Sequence, residues 1–259
     1  MKRFWKDIKR YMPYAKYATK SGLKSEVASS HLSWLWWILD PILFMLVYWF
    51  IFMVIFGQKK EYFHIFVFVG LSMWNLFNKT VSGSVRIVAA NRAVVTKVYI
   101  PKYFLIIILL FQNLFKMAIS FGIVIVMMMW SHVPVSYNVI YVIPIFVDLI
   151  LITFGVSAIL AHFGVSSMTL RILPTWVCES FLHVRNLLCD HGQGKRGDRN
   201  PALKVNPVGF LIDACRSALV YCETPHRKLI LLWFVIGAAL SAIGVAIIYK
   251  NENNYVKVI

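Results

Sequence analysis

The chemistry-bearing residues of this chain are sparse and scattered. Cys178, Cys189, Cys215 and Cys222 form no CxxC pair and have no histidine at zinc-ligand spacing, so they read as incidental thiols and no metal site is expected. The seven histidines are dispersed. The run from Gly192 to Lys195 lacks the frame of a phosphate-binding P-loop, so ATP hydrolysis by that motif is not expected of this chain. There is no GxSxG, no HExxH and no pair of carboxylates at one site, and no catalytic residue is assigned. The polar residues that stand out are Asn113, Lys116 and Asp148, because each falls inside a long apolar run. At that depth an ionisable group must face protein or water. Lys116 and Asp148 can pair within a bundle, line a pathway, or snorkel to an interface.

The apolar runs that must position these residues begin at residues 33–56, SWLWWILDPILFMLVYWFIFMVIF. Twenty-four residues at 1.5 Å each cross a hydrocarbon core with tilt to spare. Asp40 is the one charge in the run, and Trp34, Trp36 and Trp37 cluster at its start, where indole rings favour a membrane–water interface. Asp40-Pro41 is expected to kink this helix or to mark its true beginning. Further spans are expected at 62–78, 103–130, 138–162 and 229–249. With 59% hydrophobic residues and a mean hydropathy of +0.69 over 259 residues, the fold class is all-α, a polytopic helical membrane protein. The net charge of +16 could suggest a nucleic-acid partner, but the basic residues sit between apolar spans, which suits topology and lipid head groups instead.

Ahead of the first span, residues 1–32 form a polar N-terminal segment, and 33–259 form the transmembrane part. In KRFWKDIKRYM (2–12), Phe4, Trp5, Ile8, Tyr11 and Met12 share one helical face, opposite Lys2, Arg3, Lys6, Lys9 and Arg10. That pattern predicts an interfacial amphipathic helix, ended or kinked by Pro13. No cleavable signal peptide is expected, since no apolar h-region lies in the first thirty residues. Eight basic residues before Trp34, against Asp7 and Glu26, place the N-terminus in the cytoplasm. Residues 79–102 are basic and free of acids, and so are expected to be a cytoplasmic loop with a short helix over 87–98 before Pro101. Residues 166–204 break the pattern, for no apolar window of spanning length occurs there.

Three stretches carry a family resemblance. LKSEVASSHLSWLWWILDPILFMLVYWFIF resembles the start of the permease subunits of polysaccharide ABC exporters, the ABC-2 type permeases that export O-antigen or teichoic acid. Asn91-Arg92 through Lys97-Val98-Tyr99-Ile100-Pro101-Lys102 is similar to that family's cytoplasmic "N..L..K.YFP" motif. Asn206-Pro207 with Asp213 and Arg216 is similar to its "NP…I…R" ahead of the last span. The resemblance implies about six spans, the fifth poorly supported here, in the cytoplasmic (inner) membrane. It also implies an even count if both termini are cytoplasmic. It implies a homodimer of permease chains working with a separate ABC ATPase subunit that holds ATP and Mg²⁺.

On that reading the chain is not an enzyme, carries no cofactor of its own and binds no nucleic acid. It moves a lipid-linked polysaccharide through the membrane. A coupling helix within 85–97 meets the ATPase, with Arg86, Asn91, Arg92, Lys97, Tyr99 and Pro101 as its contact residues. Trp34, Trp36, Trp37, Tyr48, Trp49 and Trp74 are candidates to face the glycan, since sugar rings stack on aromatic faces. The competing reading of these six is an interfacial belt. The alternatives in function are an ABC-2 permease for a drug or lipid, and a membrane-embedded glycosyl- or acyltransferase. The oddity of 166–204 has two readings. One is a genuinely divergent polar loop. The other is a compensated frameshift, since a neighbouring frame over 167–180 permits YDFTDIANVGLRIL.

Overall fold

The computed structural model describes residues 2–28, 33–55, 57, 62–166 and 206–252. The expectations for 166–204, the GQKKE turn and the end of the tail fall largely outside them. Among the described residues all regular secondary structure is helical. The elements are α1 (Lys2–Ala28), α2 (Ser33–Phe50) with a π-helical turn at Ile51–Ile55, α3 (Phe63–Ala90) and the short α4 (Arg92–Val95). They continue with α5 (Tyr103–Trp130), a 3₁₀ turn at Tyr137–Tyr141, α6 (Val142–Ser166), α7 (Pro207–Leu219) and α8 (Arg227–Lys250).

Four stretches are long and apolar enough to cross a bilayer: Trp34–Val54, Tyr103–Trp130, Tyr137–Gly164 and Arg227–Lys250. Together with their helical packing they define a polytopic helical membrane protein. α3 is the fifth long helix of the bundle, and it differs from the others. Between 63 and 77 every residue except His64 and Asn75 is buried, so α3 is surrounded by protein rather than lipid. A helix in that position tolerates Ser72, Asn75 and Thr80, because its neighbours replace the lipid they would offend. Ser72 and Thr80 return their hydroxyls to the carbonyls of Phe68 and Leu76 at 2.8 and 2.7 Å.

Helices α2, α3, α5 and α6 alternate in direction, and α8 runs parallel to α6. Phe52 of the π turn meets Phe63 at the start of α3. His64 meets Ser131 at the end of α5 at 3.1 Å. Tyr249 at the end of α8 meets Tyr103 at the start of α5 at 3.0 Å. One end of the bundle therefore carries α1, α4, the start of α5 and the end of α8; we call it the α1 end. The opposite end carries α7 and the 3₁₀ turn. Both ends of the described chain lie at the α1 end. α6 and α8 approach closely through small residues. A Cβ at Gly244 would lie 2.6 Å from that of Ala158, and one at Gly155 would lie 2.8 Å from the Leu240 backbone.

Four local expectations need correction. Pro13 does not end the first helix, which runs on to Ala28. Pro13 is exposed, so water can satisfy the carbonyl whose partner N–H it lacks. Pro41 does not begin α2, which starts a full two turns earlier and contains it. The second span does not stop near 78: α3 continues through 79–90 as helix, leaving α4 as the short helix of the connector rather than 87–98. The amphipathic face of α1 is not turned to lipid alone. Phe4 packs on Tyr103 and Tyr11 on Phe104, with ring centroids 5.7 and 5.5 Å apart, and Ala15 is fully buried.

Candidate functional site

At the α1 end, the connector between α3 and α5 is shaped by two buried anchors and a cap. Asn91 follows the last turn of α3, and its Nδ2 donates to the Ile87 carbonyl at 2.8 Å. Val95 and Ile100 are buried, which pins the connector against the bundle. Arg86, Arg92 and Lys97 stay exposed on its outer side and form no ion pair among the described residues. Val98 and Tyr99 are exposed as well, while Pro101 is buried at the approach to α5. The six residues assigned to coupling thus divide. Arg86, Arg92, Lys97 and the outer face of Tyr99 form a basic, partly apolar knuckle, whereas Asn91 and Pro101 shape the backbone beneath it.

Behind the knuckle lies a polar network. Tyr99 donates from its hydroxyl to Glu252 Oε2 at 2.8 Å, and its carbonyl accepts from the Tyr11 hydroxyl at 3.3 Å. Lys102 Nζ lies 3.8 Å from Glu252 Oε1, with both side chains more than nine-tenths buried. Tyr249 donates to Asp7 Oδ2 at 2.6 Å, and its oxygen also meets the Tyr103 hydroxyl. The network ties together α1, the connector, α5 and the end of α8. Breaking one partner of a buried ion pair strands the other, so the Lys102–Glu252 contact holds only if both remain.

Lys102 closes the connector motif, but none of Asp7, Tyr103, Tyr249 or Glu252 was assigned a role from sequence. Their separations, up to 242 residues, carry no periodic signal. The one available hint was charge: Glu252 is an isolated acid in a basic chain.

A second polar region lies deeper. A cleft of about 310 Å³ opens where the end of α1 and the start of α2 meet the middle of α3 and α5. It is lined by Glu26, Trp36, Trp37, Asp40, Asn75, Lys79, Asn113 and Lys116, among others. Lys116 pairs with Glu26 Oε2 at 2.7 Å, and Lys79 with Asp40 at 3.5 Å. Lys116 also lies 5.8 Å from the Trp37 ring centroid, while Phe115 meets Trp37 edge-on at 6.0 Å. Asn113 is buried and donates to Thr80 Oγ1 at 2.9 Å.

The two charged groups assigned to the membrane interior are therefore not partners. Lys116 takes a carboxylate from α1, whereas Asp148 is fully buried on α6 with both oxygens lacking a hydrogen-bond partner among the described residues.

The six aromatic candidates also separate. Trp36 and Trp37 line the cleft, and Trp34 is exposed beside them on α2. Tyr48 and Trp49 are half-buried farther along α2, packed on the core. Trp74 is 1% exposed, against Phe77 at 5.7 Å, so it is a core residue and faces no pathway in this chain.

At the opposite end, α7 is capped by Asn206, whose Oδ1 accepts from the Gly209 N–H at 3.3 Å, with Pro207 opening the helix. Thirteen residues are too few to span a bilayer. Arg216 is 1% exposed; its Nε donates to the Phe66 carbonyl at 2.9 Å and its guanidinium lies 3.7 Å from the Phe66 ring centroid. Gly70 leaves the room it occupies. The "NP…R" stretch is thus a helix start followed by a clamp onto α3. Cys215 is buried beside it, and burial pushes its thiol up to about 12, with Arg216 pulling the other way. A thiol held protonated is a poor nucleophile, in keeping with an incidental role for Cys215.

The described residues thus form a helical membrane bundle with a basic knuckle, a buried polar network behind it and a polar cleft. No protein-family profile matches the chain. It is similar along nearly its whole length to curated permeases. The O-antigen export system permease protein RfbA of Myxococcus xanthus is 28% identical over 260 residues, covering 98% of this chain and 95% of that protein. Two proteins of the same description from Klebsiella pneumoniae are each 20% identical over 248 residues, covering 93% of both chains. The class implied by the three motifs, an ABC-2-type permease of a polysaccharide exporter, is the class to which these similarities point.

Proposed function

We propose that this chain is the permease subunit of a polysaccharide exporter, not itself an enzyme. The observation that carries the reading is similarity to O-antigen export permeases across 93–98% of the chain. A drug or lipid permease and a membrane transferase have no comparable support. In this reading a lipid-linked glycan crosses the cytoplasmic membrane through a pair of permease chains, and ATP is hydrolysed with Mg²⁺ on a separate ATPase subunit. The α1 end faces the cytoplasm, in keeping with the excess of Lys and Arg before the first span.

The ATPase docks on the knuckle of Arg86, Arg92, Lys97 and Tyr99. Movement of that knuckle reaches the end of α8 through the part-buried 2.8 Å bond from Tyr99 to Glu252, and α1 through the exposed 3.3 Å bond from Tyr11 to the Tyr99 carbonyl. Trp36 and Trp37, with the paired charges of the cleft, offer sugars an aromatic face flanked by hydrogen-bonding groups.

Co-purification of the tagged chain with the P-loop ATPase encoded beside it tests the reading. The wild-type chain should retain the ATPase, and Arg92→Glu with Lys97→Glu should abolish retention while the bundle stays folded. Retention indifferent to both reversals would remove the knuckle assignment. No retention by the wild type would count against the exporter reading itself.

A further inference from the structure

We infer that a groove between α1, α5, α6 and α8 is a binding site for an anionic phospholipid, one acyl chain in the groove and the head group on α1. The groove encloses about 810 Å³ and is almost wholly apolar. Its floor is a stripe on α8, Ala238, Ala242 and Ala246, spaced four apart and so aligned on one helix face. Each alanine is exposed, and the lack of side-chain bulk creates the recess. Three of the helices that form it are spans by length and apolarity, so the medium beside it is hydrocarbon rather than water. A long recess at that level is filled by a lipid chain.

The end of the groove is closed by α1, through Phe4 and Met12, beside Tyr249. This is the observation that selects the lipid. Lys9 lies three residues before Met12 and Lys16 four after it, about 60° and 40° around the helix from it, so both stand at the edge where the polar face of α1 borders Met12. Both are exposed. A chain lying in the groove therefore has its polar end beside two cations. A negatively charged phosphate head group satisfies them and a zwitterionic one does so less well, so two cations give roughly a tenfold preference or more. Pinning of α1 by Tyr249–Asp7 holds the cations in place over the groove. The site does not depend on what the chain exports.

Native mass spectrometry of the full-length chain in detergent, titrated with phosphatidylglycerol or phosphatidylcholine of equal chain length, tests the inference. The wild type should retain phosphatidylglycerol at least tenfold better. Lys9→Gln with Lys16→Gln should lose that preference yet still take either lipid, because the groove is intact. Ala242→Phe should fill the recess and lose both lipids, with helix content unchanged by circular dichroism. Equal retention of the two lipids by the wild type would overturn the head-group assignment, and the lysine variant, altered only at exposed positions, keeps that arm readable if Ala242→Phe fails to fold. Undiminished retention by a folded Ala242→Phe chain would overturn the groove. So would a wild-type dimer that this substitution splits, since a second copy would then be the occupant.

Discussion

The two ends of the bundle are held by different physics. At the opposite end a single side chain dominates: Arg216 buries its guanidinium against Phe66 and donates to the backbone of α3. At the α1 end the load is spread over several hydroxyl and carboxylate contacts, among them Tyr99–Glu252, Tyr249–Asp7 and Tyr103–Tyr249, none of them large. A clamp made of one buried cation is stiff, and fails completely when removed. A network of tyrosines yields one contact at a time. The difference suits an end that holds a short helix in place and another that must transmit movement.

That comparison can be broken most directly at Arg216. Arg216→Ala should cost about 3 kcal/mol in unfolding of the detergent-solubilised chain, since it leaves a cavity and removes a buried hydrogen bond to the Phe66 carbonyl. Arg216→Lys should recover little, because an ammonium offers neither the planar stack nor the fixed Nε geometry. A loss below 1 kcal/mol would show that α7 is held by something other than this clamp.

At the α1 end, Tyr249→Phe should cost about 1 kcal/mol. Combined with Asp7→Ala the loss should be less than additive, since both remove the same bond. Full additivity would mean that the two residues act separately and that the network is not a unit. The smallest effect belongs to the cleft. Asp40→Asn breaks an ion pair whose members are 44% and 53% exposed, and should change stability by less than about 1 kcal/mol. If export falls sharply while stability holds, Asp40 serves the ligand rather than the fold.

How far these features were legible in sequence follows from how local each one is. The α5 span was readable to the residue, because a continuous apolar run has one interpretation in a bilayer. α3 was readable only in its first half. Its polar second half looks like a loop in isolation, and becomes helix because α5 and α6 surround it. Trp74 and Trp36 are alike by composition, yet one is in the core and the other lines a cleft. Lys116 invited pairing with Asp148 inside the membrane, and instead took Glu26 from a helix ninety residues away.

By itself, then, the sequence determined that this is a multi-pass helical membrane protein with a basic N-terminal segment and a basic connector. Hydrocarbon enforces that: backbone groups must be satisfied within each helix, and charges must gather outside the apolar runs. Which tryptophan faces a ligand, which carboxylate meets which lysine, and which residues join α1 to the last helix were decided only by the tertiary structure. Those pairings depend on the rotation and tilt of one helix against another, and helix packing sets both through contacts between residues far apart in the chain.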